Sequence, residues 1–307
     1  MNNKHNDFGF NFYGFTLQEP IVVFSCFLLI CRMSEKRIQS ITIYPIKSLG
    51  PVHLQEAWVE PSGLRGDRRY MLVNANHQFI TQRTRPELTR FGLEAIDGGF
   101  LVNDRQTQTQ KFLSHEAALG PLIPVNIWED EVLAAEVLDE WSAWFSDRLG
   151  EPCFLVLQDA AHIRSIQEKY QTIGSAQSSF ADSLPILLCS EASFTAVADV
   201  IGKDINPLRF RANVIISGSL SFEEDTWAEI LIGDSQRWKG AKPCARCQLV
   251  NVNPVDGTKD DHTLRALAGF RTFGNKVYFG QQFVPISLGK INVGDLIHPI
   301  QLKDAVY

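Results

Sequence analysis

The sequence predicts a strand-rich α+β fold in two parts, and three observations lead there. From Ile38 onward, short β-branched and aromatic runs alternate with Gly, Asn, Asp and Pro punctuation. Two segments repeat apolar residues at helical spacing, and no internal repeat, charge run or long Gly/Ser linker interrupts the pattern. A chain of 307 residues with 45% hydrophobic content can also bury a full core.

Strands are expected at 40–43, 54–59, 70–74, 93–96, 100–102, 125–127 and 131–136. The last leads through Val137-Leu138 into a helix at 139–149, where Trp141, Trp144, Phe145 and Leu149 form an apolar stripe read as core. Gly150-Glu151-Pro152 stops it. Residues 184–188 read as a buried strand, and a second helix follows Ser190, whose hydroxyl caps it ahead of Phe194, Val197, Val200 and Ile201. Residues 204–208 then loop into a strand at 210–217, with alternation placing Arg209 and Arg211 on one face and Phe210 on the other. The boundary is soft: Gln, Ser and Ala replace the apolar pattern over 159–179, giving parts at 36–160 and 161–303.

Residues 1–32 stand apart because 21–31 is an almost unbroken apolar run. It falls short of the ~20 residues a membrane span needs. A signal peptide would want more positive charge than Lys4 ahead of it, and Gln18-Glu19-Pro20 breaks the flank. The segment reads as an over-extended start or disordered leader before Met33-Ser34-Glu35-Lys36-Arg37, with a membrane anchor as the alternative. A net charge of −6 argues against general nucleic-acid binding. Cysteines at 26, 31, 153, 189, 244 and 247 are too sparse for a disulfide scaffold, which suits a reducing cytoplasm. Cys153 and Cys189 sit in apolar runs as small buried hydrophobes.

The segment Lys242-Pro243-Cys244-Ala245-Arg246-Cys247 sets two thiols between cations at the lip of a strand, ahead of the β-forming run Gln248-Leu249-Val250-Asn251-Val252. Thiolates so placed are nucleophiles or soft-metal ligands. Zinc would need two further ligands, for which His262 is the nearby candidate, and a thioredoxin-type pair would need a helix after the second thiol. Lys47 and Ser48, ahead of Gly50-Pro51, form a turn able to address an anion or simply to face water. Arg68 alternates with Tyr70 and Leu72, so it needs a partner, either Asp67 or a ligand phosphate. Asp182-Ser183 read as a turn or cap, or as ligand hydrogen-bonding groups, and Arg83 as a mouth residue or a structural pair.

The cysteine loop resembles that of MOSC domains, the molybdenum cofactor-binding family that includes the mitochondrial amidoxime-reducing enzymes and their bacterial YcbX-like relatives. Further landmarks carry the resemblance: Tyr44-Pro45-Ile46-Lys47-Ser48, Gly63-Leu64-Arg65-Gly66-Asp67-Arg68-Arg69-Tyr70, Asp182-Ser183, the run from Phe210 to Gly218, Phe279-Gly280-Gln281, and Val293-Gly294-Asp295. It extends over residues 37–302. The resemblance implies an N-terminal MOSC-type β-barrel domain and a C-terminal barrel-like MOSC domain, with molybdopterin in the cleft between them. It makes Cys247 the molybdenum ligand and catalytic centre, with Cys244 as neighbour. Lys47, Ser48, Arg68, Asp182, Ser183, Arg211, Asn213 and Arg246 would hold the cofactor, while Ala181 and Leu184 depart from the hydroxyls common there.

The implied reaction is two-electron reduction of small N-hydroxylated compounds such as amidoximes, hydroxylamines and N-hydroxylated bases. The sequence has no Cys-x4-Cys-x2-Cys run for an iron–sulfur cluster. A separate electron donor, such as a ferredoxin, flavodoxin or reductase, is therefore expected, acting on a cytoplasmic monomer. Mitochondrial relatives carry an N-terminal anchor. A sulfur carrier or transferase with a persulfide on Cys247, and a cofactor-binding module without turnover, remain the alternative readings.

Overall fold

The strand Arg37–Ile43 buries Ile38, Ile41 and Ile43, although strict alternation would turn Ile38 away from the other two. A register shift between Ile38 and Ser40 reconciles them, since an irregular residue inverts the facing of what precedes it. This is a computed structural model of the chain, and it describes residues 35–172 and 176–306. The leader expected over 1–32 lies outside the described residues.

Arg37–Ile43 joins the largest sheet, whose hydrogen-bonded order is Val52–Leu54, Arg37–Ile43, Val214–Ser217, Ile186–Ser190, Lys276–Pro285, Gln236–Arg246, Trp227–Ile232 and Ile297–Leu302. Thr272–Phe273 pairs beside Lys276–Pro285. The order does not close on itself among the described residues. Ile186–Ser190 and Val214–Ser217 run parallel, which demands a crossover. A helix supplies it: α2, Glu191–Ile201, follows α1, Trp141–Leu149, in the chain. The Ser190 hydroxyl caps α2 by accepting from the Ser193 N–H at 3.1 Å, as its sequence position predicts.

Tyr70–Asn74, Cys153–Gln158, Asp130–Val137 and Leu119–Ile127 form a four-stranded antiparallel sheet, and Phe91–Ile96, Gly99–Asp104 and Thr109–Ser114 a meander. Helix α1 buries Trp141, Phe145 and Leu149, with Phe145 meeting Phe91 edge-on at 5.2 Å, and Gly150 ends it at φ 69°. One core joins both halves of the chain: Ile43, Phe91 and Phe145 pack in the same cluster as Leu188, Trp227 and Ile297. A second cluster centres on Phe194, Phe210 and Phe279 and lies under the thiol loop through Cys244. The strand-rich α+β class is therefore present. Among the described residues no helix is long and apolar enough to cross a membrane.

Several expected elements differ. The strand expected at 54–59 is two strands in different sheets, Val52–Leu54 and Glu56–Glu60, because the chain changes sheet at Gln55. Thr109–Ser114 escaped notice because most of its residues are exposed or partly exposed, so no apolar alternation marks it. The strand expected from Phe210 begins at Val214. Pro207–Phe210 is instead a 3-10 turn, set by Pro207 at its start and by the Asn206 side chain accepting from the Leu208 N–H, and Arg211 follows at φ 54°. The run after Cys247 is likewise a 3-10 turn, Gln248–Asn251, that buries Val250. In α2 the apolar stripe ends early, with Val200 59% exposed.

Gly280 lies within the long strand Lys276–Pro285 at φ 76°, and a Cβ there would stand 2.5 Å from Cys189 Sγ and 3.0 Å from the Leu188 carbonyl oxygen. Gly280→Ala combines a left-handed backbone penalty with a clash in the central sheet, so it should cost about 1–3 kcal/mol or more. Thermal unfolding followed by circular dichroism should show a midpoint lowered by roughly 3–10 °C. An unchanged midpoint would mean that the central strands can part without cost.

Candidate active site

Burial makes the charges of this region interdependent. Lys47 follows Arg37–Ile43, a strand paired on both sides in the main sheet, and is only 5% exposed, so its ammonium needs partners. It donates to the Phe180 carbonyl at 2.7 Å and to the Asp182 carboxylate. The second Asp182 oxygen accepts from Arg83, whose Nε donates to Cys247 Sγ at 3.3 Å. Trp128 Nε1 donates to the first oxygen at 3.3 Å, and the Arg83 guanidinium lies 4.6 Å from the Trp128 ring centroid. A continuous path thus runs from the buried lysine to the exposed thiol.

Burial pushes the Lys47 ammonium down to about 8, and the Asp182 carboxylate only partly restores it. Burial alone would raise Asp182, yet Lys47 and Arg83 outweigh it and hold the carboxyl well below its usual range. The solvated turn lysine open to the sequence is excluded by this enclosure.

A second group surrounds Tyr44, which is 1% exposed. The Arg68 and Arg211 guanidinium carbons lie 4.8 Å and 3.9 Å from its ring centroid. Burial pushes its phenol up to about 12 despite both cations. Arg68 is paired by buried Asp67 at 2.5 Å and also donates to Asn213 Oδ1 and the Arg211 carbonyl. It reaches this position from φ 50° before the strand at Tyr70–Asn74, so the expected alternation with Tyr70 and Leu72 does not orient it.

Arg211 donates from one nitrogen to the Leu49 carbonyl at 2.9 Å, while among the described residues its buried Nη2 has no hydrogen-bond partner and no carboxylate pairs with it. Burial lowers its pKa to about 10. Arg209 diverges completely, donating to Asp260 and to the Val250 carbonyl. The shared face expected for the two arginines is lost because the left-handed residue at 211 breaks the alternation. Asn213, 1% exposed, ties three segments together through Leu187 N–H, the Thr42 carbonyl and Arg68.

Lys47, Ser48, Arg68, Asp182, Ser183, Arg211, Asn213 and Arg246 line a single cavity. Ala181 and Leu184 also face it, as does Cys244. Its charged lining is five cations, Lys47, Arg68, Arg83, Arg211 and Arg246, against the one carboxylate of Asp182. Cys247 lies outside this cavity, on an adjoining open basin shared with Arg83, Asp182, Ser183, Cys244 and Arg246. Arg246 donates to Cys244 Sγ at 3.0 Å and to the Phe210 carbonyl at 2.9 Å. Among the described residues no three His, Cys, Asp or Glu side chains converge as a metal cage. The arrangement suits an anionic ligand in the cavity and a reacting group at the Cys247 sulfur.

Sequence reasoning missed Trp128 and the role of Tyr44. Trp128 is a half-exposed residue at φ 56° in the turn between Leu119–Ile127 and Asp130–Val137, with no pattern to mark it. Tyr44 opens the segment Tyr44-Pro45-Ile46-Lys47-Ser48, and its place beside Lys47 was the available signal. Ser48, Arg68, Arg211 and Trp128 all have positive φ, a concentration of backbone strain around one site.

The sequence matches the MOSC N-terminal beta barrel domain over residues 35–152 and the MOSC domain over residues 175–298. It is 28% identical over 277 residues to mitochondrial amidoxime-reducing component 1 from Mus musculus, covering 85% of this chain and 81% of that protein. For the Homo sapiens protein of the same description, identity is 25% over 279 residues, covering 85% and 82%. Human molybdenum cofactor sulfurase is 28% identical over 307 aligned residues, covering 88% of this chain and 32% of the sulfurase. This chain thus spans about a third of the sulfurase length.

The enclosure of Lys47 sets a pH dependence. Its folded-state pKa, about 8, lies below the ordinary 10.5, so the unfolded chain holds the proton to higher pH and stability rises with pH between those values. Relative to Lys47→Met, the wild type should gain stability in urea titrations between pH 8 and pH 10. A difference that is flat or falls over that window would place the ammonium in contact with water.

Proposed function

This chain belongs to the MOSC domain family, and from that premise we propose that it binds a molybdenum-pterin cofactor and reduces N-hydroxylated compounds with electrons from a separate protein. The observation that carries the reading is Arg211: a buried guanidinium with an unpaired nitrogen and no carboxylate, in a cavity of five cations and one carboxylate. Such a cation is costly unless an anion completes it. A phosphorylated pterin supplies one, so the residues present fit the group.

Arg211 and Arg68 would hold the phosphate, with Lys47, Ser48, Asp182 and Ser183 addressing the remaining polar edge. Asn213 acts as a tie between backbone segments, leaving its amide little capacity for a ligand. When bound, the metal supplies two-electron chemistry, and Cys247 is the soft donor suited to it. Arg83 donates its N–H to the Cys247 sulfur and is itself fixed by Asp182 and Trp128. In the overall reaction the N–O bond breaks, two electrons and two protons enter, and amine or amidine leaves with water. The amidoxime-reducing relatives, aligned over most of both chains, favour this reaction. The sulfurase relatives keep a second reading in view, in which Cys247 carries a persulfide.

Metal and pterin analysis of the purified protein, with reduction of benzamidoxime by reduced methyl viologen, tests the proposal. Molybdenum near equal stoichiometry with turnover supports it, and a persulfide without metal supports the carrier. Cys247→Ser should abolish turnover by replacing a soft thiolate with a hard hydroxyl, whereas Cys244→Ser should retain appreciable activity. Two equally dead variants would point to a redox-active thiol pair, and two fully active ones would remove molybdenum from this loop.

Arg211→Met should lower pterin retention by roughly tenfold or more, the worth of a charge-assisted hydrogen bond, while raising the unfolding midpoint of the cofactor-free protein. Arg209→Ala should leave retention unchanged. Equal pterin content in the two variants would refute the assignment of Arg211.

A further inference from the structure

The basin that opens onto Cys247 carries cations that cofactor binding does not use. Lys169, Lys242 and Lys276 line it, together with Trp128, Tyr170 and Tyr278. The Lys169 and Lys242 ammonium groups lie 4.9 Å and 5.1 Å from the centroid of the one Tyr170 ring, so both neighbour the same aromatic side chain. Among the described residues, the lysines in ion pairs are Lys36, Lys47 and Lys290. Among the described residues none of the three basin lysines has a carboxylate partner.

Asp182 is the carboxylate on the basin wall, and its oxygens are already taken by Lys47, Arg83 and Trp128. Lys242 is partly buried, and burial together with the like charges of Lys169 and Lys276 depresses its pKa. Repelling, incompletely hydrated ammonium groups beside a reactive sulfur form a receptor for an anion. The aromatic surface points the same way. Trp128 is 50% exposed, held by Arg83 on its ring and by its own N–H on Asp182, which leaves an immobilised apolar plane at the mouth. The basin encloses about 550 Å³, within the roughly 300–1,000 Å³ of small-molecule sites.

We infer that this basin selects N-hydroxylated compounds bearing an anionic group, a carboxylate or phosphate, on a flat ring. Lys169, Lys242 and Lys276 receive the anion, and Trp128 or Tyr170 receives the ring. The N-hydroxyl part of the inference rests on the reductase proposed above, whereas the anion selectivity stands on the basin alone. An acidic electron-donor protein is the competing user of these cations. A recessed ammonium beside Tyr170, such as that of Lys242, is better matched by a small molecule that enters the basin than by a protein surface that covers it.

The test compares para-carboxybenzamidoxime with benzamidoxime, using reduced methyl viologen so that no donor protein takes part. The wild type should show a KM for the carboxylated compound lower by roughly tenfold, the scale of one charge-assisted contact. The double variant Lys169→Gln, Lys276→Gln should lose that advantage while its kcat and KM for benzamidoxime stay unchanged. Calorimetric titration of both compounds into the as-purified protein provides a second readout, independent of turnover. It should show the same preference, weakened by salt in the wild type and absent in the variant.

Equal binding of the two compounds by the wild type, or a preference that survives in the double variant, overturns the inference. If neither compound is reduced and the carboxylated one still binds selectively, the reductase reading fails and the anion site stands. A variant that keeps its substrate preference and slows only when a reduced donor protein replaces methyl viologen assigns the lysines to docking and overturns the inference.

Discussion

The Asp182 carboxylate holds together a cavity lined by five cations. Like charges at close range in a poorly hydrated interior repel strongly, and each pays a desolvation cost as well. Asp182 takes up two of the five by receiving Lys47 and Arg83, and buried Asp67 takes up Arg68 from behind the cavity wall. Arg246 rests on a thiol and a backbone carbonyl. Arg211 has the Tyr44 ring and one carbonyl, which leaves it the least compensated of the set. Two cations, Arg211 and Arg246, thus lack a carboxylate among the described residues, and this imbalance suits the cavity to an anionic ligand.

The backbone is bent to serve that arrangement. Ser48, Arg68 and Arg211 all occupy left-handed conformations, which most side chains avoid at a cost of about 1 kcal/mol or more each. Hydrogen bonds across chain segments hold them there. Asn213 joins the starts of the two parallel strands to the Thr42 backbone, and the Tyr44 N–H donates to Asp67 at 2.8 Å. A core shared by both halves of the chain keeps these segments in register.

The cysteines show how position separates identical side chains. Cys189 is fully buried in the central sheet, where burial pushes its thiol well above the ordinary value and removes it from chemistry. Cys247 is exposed at the end of Gln236–Arg246, with an arginine N–H on its sulfur. Arg83 is what joins the inner cavity to the outer basin. It touches Asp182 on one side, Cys247 on another, and stacks on Trp128. The inner cavity and the thiol therefore share one side chain.

Sequence determined the strand-rich class, the capped helix after Ser190 and the aromatic face of the helix ending at Gly150, because these follow from alternation, spacing and capping chemistry within a few residues. Motif resemblance also selected the side chains that surround the cavity. Local pattern failed where one residue departs from regular backbone. Arg211 at φ 54° ends the alternation that grouped it with Arg209, and the run after Cys247 turns into a 3-10 segment because Val250 is needed in the core. Trp128 and Tyr44 gained their roles from neighbours more than fifty and more than twenty residues distant, Asp182 and Arg68 respectively. Burial was likewise decided by tertiary structure alone: Lys47 has the sequence context of a solvated turn lysine, and only the enclosing walls make its charge costly and its partnership with Asp182 necessary.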